Sequence, residues 1–196
     1  MRSHDDGFST GARESGQLPE VWLLQRILFA ALLALGIVLY VLEGFFPPLV
    51  PVPGAKLGLS NILVLFTMLF LGYGAGIFLA IARSILGSFI AGTLFAPGAL
   101  LSLSGGFVSA LVVAFSLKKL RPPLGLVGVS VLGAIAHNVT QLVVAYFLFV
   151  QISGLFYYLP FLLILGLISG LITGLIAVYL FERVGRELGL PYNSLL

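Results

Sequence analysis

The chain has 196 residues, 60% hydrophobic and only 9% charged, with a mean hydropathy of +1.16. A water-soluble domain of this size needs far more charge to cover its surface, so the composition specifies an all-α integral membrane protein. The formal charge of +3 is too small to imply nucleic-acid binding, and without cysteine there is neither a disulfide nor a thiolate metal site.

Residues 1–20 are polar and lack the apolar core of a signal peptide, which predicts a disordered cytoplasmic tail. His4, Asp5 and Asp6 in that tail read as solvated side chains rather than metal ligands. Six apolar segments follow, at 21–42, 58–71, 75–91, 98–117, 124–150 and 156–181. They predict a six-helix transmembrane domain over 21–182, with 183–196 as a short cytoplasmic C-terminal segment.

Between the first two segments lies PVPGAKLGLSN, residues 51–61. Its prolines and Gly54 forbid a continuous helix. The segment after it is short for a bilayer crossing, which takes ~20 apolar residues. A broken, polar start to a short membrane helix is a candidate ligand site, with Lys56 and Asn61 facing the ligand.

Basic residues set the orientation. Arg26, Lys118, Lys119, Arg121, Arg183 and Arg186 share one side with the termini, and Lys56 alone stands among the loops opposite. Both termini are therefore expected in the cytoplasm, with residues 51–61 at the outer face. Phe156, Tyr157 and Tyr158 fit an interfacial aromatic belt. Small residues recur at helical spacing: Gly166, Gly170 and Gly174 in the sixth segment, Ser102, Gly105, Gly106, Ser109 and Ala110 in the fourth, Ala30 and Ala34 in the first. Such stripes let helix backbones approach closely, within the bundle or against a partner.

The chemistry-bearing residues are few. Arg83 sits about nine residues into the third segment, where an arginine at the bilayer centre costs ~2.5–3.5 kcal/mol, so it must face the bundle interior. It serves either as a structural hub or as an anion site, and Glu43 is the one membrane-associated acid placed to pair with it. His137 and Gln141 share a face of the fifth segment, and Asn138 turns toward a neighbouring helix; all three are expected substrate contacts with Lys56, Ser60, Asn61 and Arg83. A lone membrane histidine favours hydrogen bonding over metal ligation. Thr67, Ser84, Ser88, Thr93, Ser102 and Ser104 extend this polar face or bond backbone carbonyls. Lys56 either snorkels to the interface or meets the ligand. Ser60 and Asn61 stand where a helix start has free amides that favour anions. Lys56, Arg83 and those amides suit a carboxylate, phosphate or other electron-rich group, with Phe45, Phe46, Phe66, Phe89 and Phe95 covering an apolar remainder.

Residues 53–61 (PGAKLGLSN), Arg83 with Ser84 and Gly87, residues 92–97 (GTLFAP), 104–106 (SGG) and 133–138 (GAIAHN) with Gln141 resemble one bacterial membrane family. That family is labelled heptaprenyl diphosphate synthase component I, or Gx transporter. It is similar in layout to the substrate-binding S-components of energy-coupling factor (ECF) vitamin transporters. The resemblance implies a six-helix bundle in the bacterial plasma membrane that binds a small-molecule substrate. It also implies docking through Ala30 and Ala34 on a transmembrane coupling subunit, with ATPase subunits beyond.

The enzyme label meets a chemical objection. Prenyl-chain elongation needs acid-rich motifs to hold magnesium and diphosphate, and the only aspartates are Asp5 and Asp6. No phosphate-cradling GxxxxGK[ST] loop is present either, so ATP hydrolysis falls to separate subunits. The sequence thus predicts a non-catalytic protein without cofactor or metal. Two functional readings stand: substrate capture for ATP-driven uptake, or a membrane subunit of isoprenoid-quinone biosynthesis or extracellular electron transfer. A purely structural assembly partner is the third.

Overall fold

The computed structural model describes residues 17–45, 60–120 and 123–187, which contain no strand. Six helices follow one another: α1 (Gln17–Phe45), α2 (Asn61–Leu71), α3 (Tyr73–Ile90), α4 (Pro97–Lys119), α5 (Leu126–Ala145) and α6 (Leu159–Glu187). Outside the described residues lie most of the expected tail with His4, Asp5 and Asp6, and the stretch 46–59 with Phe46 and Lys56. Arg121 and residues 188–196 also lie outside them.

The burial pattern is inverted relative to a water-soluble bundle. Along α6 the buried positions are Leu162, Gly166, Ser169, Gly170, Thr173, Gly174, Ala177 and Phe181, a stripe of mostly small residues at helical spacing. Ile164, Leu167, Ile168, Leu171, Ile172 and Leu175 cover the outside. Large aliphatic side chains outside and small or polar ones inside are what a lipid solvent selects. Among the described residues, five helical stretches are long and apolar enough to cross a membrane. The protein is a multi-pass membrane protein.

The glycine stripe is used inside the bundle. A Cβ at Gly170 would stand 2.5 Å from the Val131 Cα, and one at Gly174 would stand 2.8 Å from the Val127 Cα. The α5 and α6 backbones therefore touch, and this is the most extensive helix pair. Ser130 and Thr173 share a hydrogen bond of 2.8 Å across the same seam.

Three boundaries differ from the sequence expectation. α1 starts at Gln17, so residues 17–20 belong to a helix and not to the tail. Pro19 does not prevent this, because first-turn amides have no intrahelical acceptor. The fifth segment is not one helix: α5 passes into a π-helical turn, Tyr146–Val150, closed by Gln151 in the left-handed region (φ 49°). A 3-10 stretch, Ser153–Tyr158, then leads into α6.

The third difference positions the site. α2 has 11 residues, about 16 Å at 1.5 Å per residue, against the ~30 Å hydrocarbon core. The second helix is short, as expected, but it starts at Asn61 rather than at 58 and is not a full span. Gly72 (φ 94°) turns the chain straight from α2 into α3. Asn61 and Arg83 each stand eleven residues from that turn, one on each arm of the hairpin. The N-terminus of α2 consequently comes level with Arg83, deep between the ends of the long helices.

Candidate functional site

At that level the bundle holds a buried polar cluster. Arg83 is 3% exposed. Its Nη1 donates to the Ser60 Oγ, and its Nη2 donates to the Asn61 Oδ1 at 2.6 Å. Ser60 in turn gives Glu43 two donors, its backbone amide at 3.2 Å and its hydroxyl at 3.4 Å. Glu43 interacts electrostatically with Arg83, so an ion pair relayed through Ser60 ties α1, α2 and α3 together. Breaking such a buried pair by removing one partner typically costs ~3–5 kcal/mol.

Local structure explains why these groups meet. Ser60 occupies the N-cap position of α2, but its hydroxyl makes no capping bond and is directed instead to Glu43 and Arg83. The carboxylate of Glu43 takes the free amide at this helix start, where negative charge is favoured. Glycines pack against the arginine: Cβ atoms at Gly36 of α1 and Gly106 of α4 would lie in ordinary contact, 3.6 Å from the Arg83 Cδ and 3.7 Å from its Nη2. Gly105 makes room for α5, since its Cβ would come within 3.0 Å of the His137 Nδ1 and the Gln141 Cγ. The small stripe of α4 thus admits polar side chains from α5.

Tyr40, Glu43, Ser60, Arg83, Ser84, Ser102 and His137 line a small cavity. The space open to a solvent centre there is about 10 Å³, the room of a single water molecule. In this conformation the site is closed to anything larger.

Several donors around it are unspent. Arg83 Nε, Asn61 Nδ2, Gln141 Nε2 and Ser102 Oγ are buried without a hydrogen-bond partner. Leaving a buried donor unsatisfied typically costs ~1–3 kcal/mol, so each of these groups calls for an acceptor.

The expected site residues divide as follows. Ser60, Asn61 and Arg83 are joined by direct bonds, and His137 lines the same cavity. Gln141 is buried one turn along α5, packed with His137 over Gly105. Asn138 points elsewhere: its Nδ2 donates to the Leu162 carbonyl at 2.9 Å and holds α5 to α6. Lys56 lies outside the described residues. Ala30 and Ala34 are exposed on the outer face of α1.

The aromatic cover expected over the site is not assembled. Phe45, Phe89 and Phe95 are exposed, and Phe66 packs against Phe70, with ring centroids 4.4 Å apart. Three of the six expected hydroxyl residues bond within their own helices: Thr67 donates to the Leu63 carbonyl, Ser84 to that of Ala80, and Ser104 to that of Leu100. Thr93 donates to the Ser88 carbonyl.

Tyr40 was not singled out from the sequence, although it lines the cavity and shares a buried hydrogen bond of 2.6 Å with the Ser88 Oγ. The available signal was spacing. Gly36, Tyr40 and Glu43 fall on one face of α1, and all three are buried.

Among the described residues no group of three or more histidine, cysteine, aspartate or glutamate side chains is placed to hold a metal ion. Comparison with curated proteins gives no match, and comparison with solved structures gives none. One family profile matches residues 32–180, which takes in Glu43, the 51–61 sequence, Arg83, His137 and the buried stripe of α6 as far as Ala177. The chain belongs to the family described as heptaprenyl diphosphate synthase component I.

Proposed function

We propose that this protein is a non-catalytic membrane subunit that binds a small organic molecule at the Arg83 cluster. In this reading it captures an electron-rich molecule at the outer face and passes it to separate, ATP-driven subunits. Both termini then lie in the cytoplasm of a bacterial cell, and Lys56 is a further proposed contact. One observation carries the reading: unspent buried donors of Arg83 and Asn61 stand at the start of a half-length helix, deep in the bundle. Discontinuous helices whose N-termini stop at mid-membrane are a recurrent way of building substrate sites in transport proteins. Ser60, Asn61, Arg83, His137 and Gln141 are the proposed contacts, and Asn138 supports them by fixing α5 on α6. The exposed small residues Ala30 and Ala34 are the proposed docking surface for a coupling subunit.

The closed cavity sets a condition on this reading. A molecule larger than water enters only when α1 or the α2–α3 hairpin shifts, so binding is coupled to opening. Protein purified in mild detergent should retain or rebind a small molecule identifiable by mass spectrometry. Arg83→Ala should lose it, and Asn138→Ala should weaken it less. Equal retention by wild type and Arg83→Ala would rule out the site.

A second reading rests on the family description. It makes the chain the membrane component of a prenyl diphosphate synthase, with catalysis supplied by another subunit. Deleting the gene should then change isoprenoid-quinone content without an uptake defect. Affinity purification from native membranes separates the two readings by whether ATPase subunits or a synthase subunit accompanies the protein.

A further inference from the structure

We propose that the Arg83 cluster selects a molecule whose buried head carries no net charge and offers acceptor oxygens, such as a carboxamide or another polar carbonyl. The inference rests on the binding reading above and names its substrate class. Judged from Arg83 and Lys56 alone, the site would suit an anion, but the positions of the groups argue against one. Glu43 already supplies the counter-charge to Arg83, held by the amide and hydroxyl of Ser60. An incoming carboxylate would meet a carboxylate already seated at the same helix start. Two like charges in a water-poor site are strongly disfavoured.

The unspent hydrogen-bond capacity points the same way. Arg83 Nε, Asn61 Nδ2 and Gln141 Nε2 are N–H donors, and Ser102 adds a hydroxyl. The Asn61 assignment follows from its partner: guanidinium only donates, so the Oδ1 must face Arg83 and the Nδ2 is the end left over. Arg83, Ser102 and Gln141 are each at least nine-tenths buried. Three N–H donors, two of them on or against the Arg83 of a balanced ion pair and the third next to His137, require acceptors without requiring charge.

The test uses matched probes on the full-length protein in detergent: nicotinamide against nicotinate, and benzamide against benzoate. Binding is read by calorimetry and by the shift of the unfolding temperature. Wild type should bind each amide about tenfold or more tightly than its acid. Glu43→Gln keeps the shape of the side chain and leaves Arg83 uncompensated, so it should reverse that order. A Glu43→Asp variant, which retains the charge, should keep the wild-type order and controls for a general effect of mutation at this position. Acids binding more tightly than amides to wild type would overturn the charge assignment while leaving the binding reading intact. No response to any probe in either wild type or Glu43→Gln, together with no co-purifying molecule, would overturn both.

Discussion

The carboxylate of Glu43 accepts the backbone amide of Ser60 at 3.2 Å across 17 positions of sequence, and so joins the end of α1 to the start of α2. Ser60 is also the residue on which Arg83 rests. The contacts that join α1 to α2 therefore also neutralise the buried arginine, and any separation of these two helices works against them.

Removing the acid should thus be felt by the whole bundle. Glu43→Ala is expected to lower unfolding free energy in mixed micelles by about 3–5 kcal/mol, because it leaves the buried Arg83 uncompensated. The double variant Glu43→Ala with Arg83→Met should recover much of that loss, since removing both charges also removes the desolvation cost. A double variant less stable than Glu43→Ala alone would mean that the pair contributes nothing as a pair.

The Tyr40–Ser88 bond offers a smaller, cleaner measurement. Tyr40→Phe and Ser88→Ala should each cost ~0.5–1.5 kcal/mol, the net worth of one buried hydrogen bond. A double-mutant cycle should show a favourable coupling, because the two groups face each other directly at 2.6 Å.

Close approach of α5 and α6 predicts a graded response among glycines. Gly170→Ala places a methyl 2.5 Å from the Val131 backbone and should cost ~1–3 kcal/mol through forced separation of the helices. At Gly44 a Cβ meets nothing within 4 Å, so Gly44→Ala should be neutral or stabilising by up to about 1 kcal/mol through helix propensity. Thermal unfolding of both variants in one detergent tests the contrast.

The neighbouring glycines of α4 should differ in their effect on ligand retention. Alanine at Gly106 fits, with its methyl 3.5 Å from the Ser84 Oγ. Alanine at Gly105 presses within 3.0 Å of both His137 and Gln141, and should reduce retention about tenfold without unfolding the protein. Mass-spectrometric quantification of co-purified molecule distinguishes them.

Orientation can be tested without background, because the chain has no cysteine. In intact cells a single cysteine at Lys56 should react with an impermeant thiol reagent. One at Lys118 should react only after the membrane is opened. The reverse pattern would invert the topology.

Sequence by itself determined the solvent and the fold class. No soluble surface can be made from 9% charged residues, and apolar runs of this length must become helices in lipid, where every backbone polar group needs an internal partner. It also determined that Arg83 faces inward, since lipid leaves an arginine nowhere else to go, and that the second helix is short. Which residues meet Arg83 was decided only by the tertiary structure. The near-symmetric placing of Asn61 and Arg83 about Gly72 follows from a turn whose tightness no composition reveals. The face of α1 carrying Tyr40 and Glu43 is selected by packing against α3, where Gly87 admits the Tyr40 ring. His137 and Asn138 show the division most directly. They are adjacent in sequence and equally polar, yet a helix sends neighbours about 100° apart. One lines the cavity and the other bonds to α6, because side-chain direction is set by the helix period and its consequence by what stands opposite.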